Sequence, residues 1–409
     1  MNAAADHSTN ASGPAMPTEG ESATPGALQG VTILQVLPAL GEGGGVERGT
    51  VEIARAIVAA GGRAIVASAG GLMEHDLTRA GAEHVTLPVD SKNPMVMVRN
   101  IERLAELMRG EKVDIAHARS RAPAWSTRWA ARRAGVHFMT TFHGTYAAGN
   151  FLKRRYNAVM GMGERVIAIS QFIAGHVRQI YGVAPSRIRV IHRGVDTDKF
   201  DPAKVSAERV ISLAHDWQLP DGAPVIMLPG RLTRWKGQTV FIEAVARLNR
   251  PDIRCILVGA DQGREEYRKE LEKLILTHGL GWVMRIMDHC RDMPAAYMLS
   301  DVVVSASTDP EAFGRVVIEA QAMGRPVVAT DHGGARETVI ENETGWRTAP
   351  GDVEALSAAL AKALALGEGE RERMAERTTA NVRAQFSTRA MCDKTIAVYR
   401  EVLALPVGG

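Results

Sequence analysis

The chain has 409 residues, 45% hydrophobic and 23% charged, a balance that suits a folded protein and excludes collagen-like, low-complexity and wholly disordered architectures. This length exceeds what one compact core supports, so two domains are expected. The net charge of +3 hides an asymmetry: residues 1–196 hold 22 Lys and Arg against 16 Asp and Glu, whereas residues 197–409 hold 27 against 30, so the first half is expected to face something anionic.

Residues 1–29 are rich in Ala, Ser, Thr, Gly and Pro and contain no Lys or Arg. They lack the basic start and apolar middle of an export signal and are expected to be a disordered tail, which favours the cytoplasm. From residue 31, short runs rich in Val, Ile and Thr alternate with helical patterns. The first series is VTILQVLP (31–38), RAIVASA (63–69), HVTLPV (84–89), VDIAHA (113–118), HFMTTF (137–142), RVIAIS (165–170) and RIRVIH (187–192). The second is PVIMLPG (224–230), IRCILVG (253–259), VMRIM (283–287), DVVVSAS (301–307), PVVAT (326–330) and TGWRT (344–348). Such weakly alternating runs predict strands buried on both faces, hence α/β architecture with two doubly wound parallel sheets. The polar stretch 196–223 between the two series is read as the hinge. No apolar run reaches the roughly 18 residues that span a bilayer. Cys255, Cys290 and Cys392 are too few and too far apart for a disulfide framework or zinc ribbon.

Ligands of doubly wound sheets bind beyond the carboxyl ends of the strands, and the motifs lie there. GEGGGVERGT (41–50) follows the first run and opens a helix; its glycines and helix N-terminus suit an anion. Val46 breaks the dinucleotide fingerprint, and no P-loop is present. His143-Gly144 ends HFMTTF; this histidine could bind a hydroxyl, move a proton or cap the strand. GRLTRWKGQT (230–239) places Arg231 and Lys236 five residues apart, able to converge on a diphosphate. EAFGRVVIEA (311–320) separates Glu311 and Glu319 by eight residues, the first expected on a loop and the second inside a helix. Such carboxylates suit the vicinal hydroxyls of a sugar or ribose. TDHGGARET (330–338) offers the backbone N–H groups of Gly333 and Gly334.

Taken together and in this order, these motifs closely resemble glycosyltransferase family 4, the retaining nucleotide-sugar transferases of GT-B fold. The resemblance spans about residues 31–405, and HRGVDTDKFDP (192–202) is similar to the branch that includes bacterial lipopolysaccharide-core and exopolysaccharide transferases. It implies two Rossmann-like domains facing a central cleft: after the tail at 1–29, an acceptor-side domain at 30–200, a nucleotide-sugar-binding domain at 201–387, and a terminal helix at 388–409 packing back on the first domain. It further implies that Arg231 and Lys236 bind the donor diphosphate and that Glu319 holds the ribose. Glu311 would contact sugar hydroxyls beside the Phe313 and Gly314 backbone, Gly44 and Gly45 would approach the phosphate, and His143 would lie near the transferred sugar. His143, Arg231, Lys236 and Glu311 are then the catalytic set. No metal is expected, because cations and helix amides can stabilise the leaving diphosphate; Asp196-Thr-Asp198 is read as a turn rather than a metal signature. Retention would proceed through a carboxylate nucleophile or a front-face route in which the diphosphate accepts the acceptor proton, and the resemblance favours the second. Asp288 stands where the family usually has glycine, in a segment ordinarily near the nucleobase. Two other classes fit the fold alone: a nucleotide-sugar-binding protein without turnover and a dinucleotide-dependent oxidoreductase.

Residues 115–163 hold eight basic residues (Arg119, Arg121, Arg128, Arg132, Arg133, Lys153, Arg154 and Arg155), no Asp or Glu, and interleaved aromatics. Trp125, Arg128, Trp129 and Arg132 follow helical spacing on one face. This composition suits an anionic membrane surface as partner, and so a peripheral inner-membrane enzyme glycosylating a saccharide or lipid-linked acceptor, the alternative being a solvated face with the tryptophans turned into the core. No nucleic-acid module is recognisable.

Overall fold

In the computed structural model, which describes residues 26–41, 44–146 and 149–408, each of the thirteen apolar runs coincides with a strand, β3 beginning one residue before its run. The first sheet comprises β1 (Thr32–Val36), β2 (Arg63–Ser68), β3 (Glu83–Thr86), β4 (Ile115–Ala118), β5 (His137–Phe142), β6 (Val166–Ala168) and β7 (Ile188–Val190), in the order β3-β2-β1-β4-β5-β6-β7. The second comprises β8 (Val225–Pro229), β9 (Arg254–Val258), β10 (Met284–Met287), β11 (Val302–Ser305), β12 (Val327–Thr330) and β13 (Gly345–Thr348), in the order β10-β9-β8-β11-β12-β13. All pairings are parallel. Helices cover both faces, so β1 sends Leu34 and Val36 into one core and Ile33 into another. With each fully buried aliphatic side chain contributing roughly 1.5–3 kcal/mol, strands in this setting must be apolar on both faces, as the runs are. Strand order reverses between β1 and β4 and again between β8 and β11. These switch points open crevices at the carboxyl edges. The architecture is the GT-B arrangement of two Rossmann-like domains.

The chain crosses between the domains twice, and the crossings are bonded to each other. Val195 N donates to Phe386 O at 2.8 Å, and Thr388 N donates to Val195 O at 2.9 Å. A Cβ on Gly194 would lie 2.5 Å from Thr388 Cα, so only glycine lets the two segments meet. The last helix, Thr388–Leu403, then packs against the helix Gly45–Ala59 of the first domain, burying Ile396, Tyr399 and Val402 beside Ile53 and Ile57. The Tyr399 hydroxyl and His117 Nδ1 are 2.8 Å apart. Glu401 accepts from Arg165 at 2.6 Å and from Arg189.

Two boundaries differ from expectation. The stretch 196–223 is not a linker along its length: it contains the helix Ala207–Asp216, packed on the helix Met293–Leu299 of the second domain, and Trp217 is buried. Its sparse apolar residues suffice for one amphipathic face. At the N-terminus, residues 1–25 lie outside the described residues, but Leu28, assigned to the tail, is fully buried and bonds Ala60 O through its N–H.

Replacing Gly194 by alanine should cost about 2 kcal/mol or more, through steric overlap at the crossing. Urea unfolding of Gly194→Ala, compared with the unaltered protein, measures this; an unchanged midpoint would show that the crossing tolerates a side chain.

Candidate functional site

A cleft of about 790 Å³ opens between the carboxyl edges of the two sheets. From the first domain it is lined by Gly45, Arg48, His143 and Arg193, and from the second by Arg231, Lys236, Glu311, Phe313, Gly314, Arg315 and Glu319. Residues separated by up to 274 positions thus reach one space because each follows a strand that ends there.

Lys236 sits in the short turn Arg234–Lys236 after β8. Its Nζ lies 2.7 Å from Glu311 Oε1 and 4.6 Å from the centre of the Trp235 ring. The same carboxylate oxygen accepts from the hydroxyls of Ser307 and Ser305. Burial alone would raise the Glu311 pKa, but the Lys236 charge and these hydrogen bonds outweigh it and hold the carboxyl below its ordinary value. Glu311 therefore stays ionised at neutral pH, and the stability it contributes is present above the ordinary carboxylate range and lost only as pH falls through the lowered pKa. Arg231 is exposed at the cleft and forms no ion pair among the described residues. Its backbone is fixed by Gln238 Nε2, which donates to Arg231 O at 2.9 Å.

Glu311 lies on the loop after β11, and Glu319 lies inside the helix Arg315–Ala322. Gly314 caps that helix at φ 81°. The Phe313 ring is buried against His192 and Phe386, so its side chain serves the core while its backbone borders the cleft. Glu319 accepts from the Tyr297 hydroxyl at 3.0 Å and from Arg315 at 3.2 Å. Gly333 and Gly334 act differently from expectation. A Cβ on Gly333 would lie 2.2 Å from Glu311 O, and one on Gly334 would lie 2.3 Å from Phe313 O; Gly334 N already donates to Glu311 O at 2.9 Å. The glycine pair is a cradle for the Glu311 loop, and the Gly334 N–H is already bonded to that loop rather than free for a ligand.

Gly44 is the N-cap of the helix Gly45–Ala59, with the Glu47 carboxylate folded against it. Glu42 and Gly43 of the same motif lie outside the described residues. His143 directly follows β5, and its Nδ1 is 2.8 Å from Arg193, which also donates to Gly45 O. Burial, then the charges of Arg193 and Arg119 and the neighbouring His117, push the His143 pKa well below the ordinary histidine value, so the ring is neutral. Arg193 is itself pushed down to about 9, by burial and by Arg119 and Arg315. Sequence reasoning missed Arg193 and Arg315. Arg193 directly follows the last run of the first series, so the carboxyl-edge rule could have found it; Arg315 stood in plain view between Gly314 and Glu319. The domains also touch beside the cleft: Ser170 Oγ donates to Ala312 O at 2.6 Å, and Glu337 accepts from Gln171 N, Phe172 N and His192.

Asp196 accepts from the N–H groups of Asp198 and Lys199, and Asp198 pairs with Lys204; the Asp-Thr-Asp segment is a turn. Among the described residues no group of three or more His, Cys, Asp or Glu side chains could hold a metal ion. Asp288 pairs with Arg268, and Met293 after it lines the cleft. The basic aromatic region is smaller than the composition implied. Arg119 is buried, Arg121 stacks over Tyr146, Arg133 pairs with Glu102, and Trp125 is half-buried with its indole N–H on Tyr156 O. What remains exposed without an acidic partner includes Trp129, flanked by Arg128 and Arg132, and the turn of helix carrying Phe151, Leu152, Lys153, Arg154 and Arg155. No helix among the described residues is long and apolar enough to cross a membrane.

Residues 43–199 match the family model described as Glycosyltransferase Family 4, and residues 212–381 match Glycosyl transferases group 1. A crystal structure of a glycosyltransferase from Rickettsia africae is 38% identical, with a TM-score of 0.86 over 91% of this chain and 99% of that one. HepE of Anabaena, solved with UDP-glucose, is 24% identical with a TM-score of 0.77 over 90% and 99%, a likeness of fold. A D-inositol 3-phosphate glycosyltransferase of Xylanimonas cellulosilytica is 34% identical over 194 residues, 44% of this chain and 46% of that protein. The chain thus matches about half the length of such curated relatives. Motif geometry, two family models and near-full-length agreement with the Rickettsia africae protein lead to one conclusion: the chain belongs to glycosyltransferase family 4.

Proposed function

We propose that the protein is a retaining glycosyltransferase that moves a sugar from a nucleotide sugar to a saccharide or lipid-linked acceptor, in envelope polysaccharide or lipopolysaccharide synthesis. The observation that carries this reading is the Lys236–Glu311 pair, 2.7 Å apart, with Arg231 and Glu319 on the same cleft wall. A nucleotide sugar presents a ribose diol, a diphosphate and a sugar ring in series. Glu319 suits the ribose, Arg231 and Lys236 the diphosphate, and Glu311 the sugar hydroxyls. As the glycosidic bond breaks, negative charge grows on the departing diphosphate, and preorganised cations stabilise that change without a divalent metal. HepE binding UDP and UDP-glucose supports the donor class. Of the two routes to retention, the family resemblance favours the front-face one, in which the departing diphosphate takes the acceptor proton.

Lys236→Ala should lower turnover about a hundredfold or more, and chelators should leave transfer unchanged; radiolabelled transfer assays check both. Glu319→Ala should weaken free nucleotide and nucleotide sugar alike, whereas Glu311→Ala should weaken only the sugar-dependent part. Calorimetric titration with each ligand separates the two roles, and equal loss of free nucleotide binding in both variants would refute the division.

The peripheral-membrane reading rests on Trp129, 41% exposed between two arginines, and on Phe151 and Leu152, 73% and 75% exposed beside Lys153, Arg154 and Arg155. Apolar tips ringed by cations suit an anionic bilayer surface, each cation adding about 1 kcal/mol. The protein should cosediment with anionic vesicles at low salt and release at high salt. Reversing the charges at Arg128, Lys153, Arg154 and Arg155 should abolish the effect; persistence of binding would place the contact elsewhere.

A further inference from the structure

The Arg193–His143 contact has a chemical direction. A guanidinium has N–H donors and no acceptor, so across the 2.8 Å contact Arg193 donates and His143 Nδ1 accepts. A neutral imidazole that accepts at Nδ1 carries its proton on Nε2. That Nε2 is buried and has no partner among the described residues, while the ring lines the cleft. Arg193 cannot easily turn away, because it is itself buried and its other terminal nitrogen is held by Gly45 O at the start of the helix Gly45–Ala59.

We propose that Arg193 is a positioning residue that locks His143 as the Nε2–H tautomer, making His143 a fixed hydrogen-bond donor to a substrate oxygen and not the base that takes the acceptor proton. The groups bearing on the ring are Arg193 after β7, His117 in β4 and Arg119 just after it, and Tyr146, which lies against the His143 backbone. All are cationic or neutral at pH 7, so none favours an imidazolium. Arg193 in turn faces Arg119, Arg315, Glu47 and Glu52, and the two carboxylates help keep its charge in place. A ring that already carries a proton on its free nitrogen and is surrounded by positive charge is a poor proton acceptor. The acceptor proton must then leave by another path, which on the reading above is the departing diphosphate. The inference rests on that reading only for the use made of the donor.

Long-range proton–nitrogen NMR of the full chain with labelled histidine rings tests it without turnover, the His143 signals being assigned by their loss in His143→Gln. The expected pattern is a bare Nδ1 and a protonated Nε2, unchanged from about pH 6 to about pH 8, where an ordinary histidine titrates near 6.5. An Nδ1–H pattern, or an imidazolium midpoint near the ordinary value, overturns the proposal. Arg193→Gln keeps an N–H donor without the charge and should keep the bare Nδ1 while the ring begins to titrate. Arg193→Met removes both and should give mixed tautomers, with kcat lowered about tenfold or more, a larger change than in KM, and partly recovered in the glutamine variant. A His143 spectrum unchanged in both variants also overturns it. Loss of the transferase reading would leave the tautomer result standing, and an Nδ1–H tautomer would leave the transferase reading standing, so the two failures are distinguishable.

Discussion

One wall of the cleft is arranged to hold a carboxylate against an ammonium. Glu311 and Lys236 come from different strands, 75 residues apart, and meet at 2.7 Å in a largely desolvated wall. Removing two charges from water costs several kcal/mol per ion before their attraction returns anything. Such a pair is weak evidence of stabilisation and better evidence of use. The surrounding structure accepts the cost in specific ways: Ser305 and Ser307 donate to the carboxylate, and the Gly333–Gly334 cradle grips the backbone behind it. A loop with this many constraints needs little rearrangement at the moment of reaction.

The first domain contributes a wall of a different kind. Its cations, Arg193 and Arg119, are buried near His143 and disfavour its protonation, while Arg315 reaches the same neighbourhood from the second domain. The cleft therefore has one side where a lysine is balanced by a carboxylate and another where positive charge is gathered. That polarity suits a reaction whose leaving group becomes more anionic as the bond breaks. Contacts such as Ser170 with Ala312, and Glu337 with the N-terminus of the helix Gln171–Tyr181, bring the two walls into register directly beside the Glu311 loop.

Most of the fold was legible because parallel strands covered on both faces leave an unambiguous trace: runs of Val and Ile between longer amphipathic stretches. The second wall of the site was legible because Arg231, Lys236, Glu311 and Glu319 lie in compact motifs just after such runs. What escaped was tertiary. Nothing local in Lys236 announces Glu311 as its partner, and Arg193 sits in a motif whose neighbours drew attention to a turn. Gly334 looked like a ligand donor because a glycine that admits an anion and a glycine that admits a neighbouring loop read identically in one dimension. The basic composition of 115–163 overstated the exposed charge for the same reason: burial of Arg119 and pairing of Arg133 with Glu102 are set by packing, not by spacing.

The twin crossing at Val195 has a mechanical consequence. A single tether would let the second domain swivel, twist and slide, whereas two tethers laid side by side and bonded through Val195 to Phe386 and Thr388 behave like a door leaf on its pin. Rotation about the line of the crossings bends both segments together and preserves their hydrogen bonds; sliding would break them. With no side chain on Gly194 to act as a spacer, the pin is thin, and its axis runs through backbone. Any rotation there would displace the far lip of the cleft most, and tethers bonded in this way would confine it to one axis.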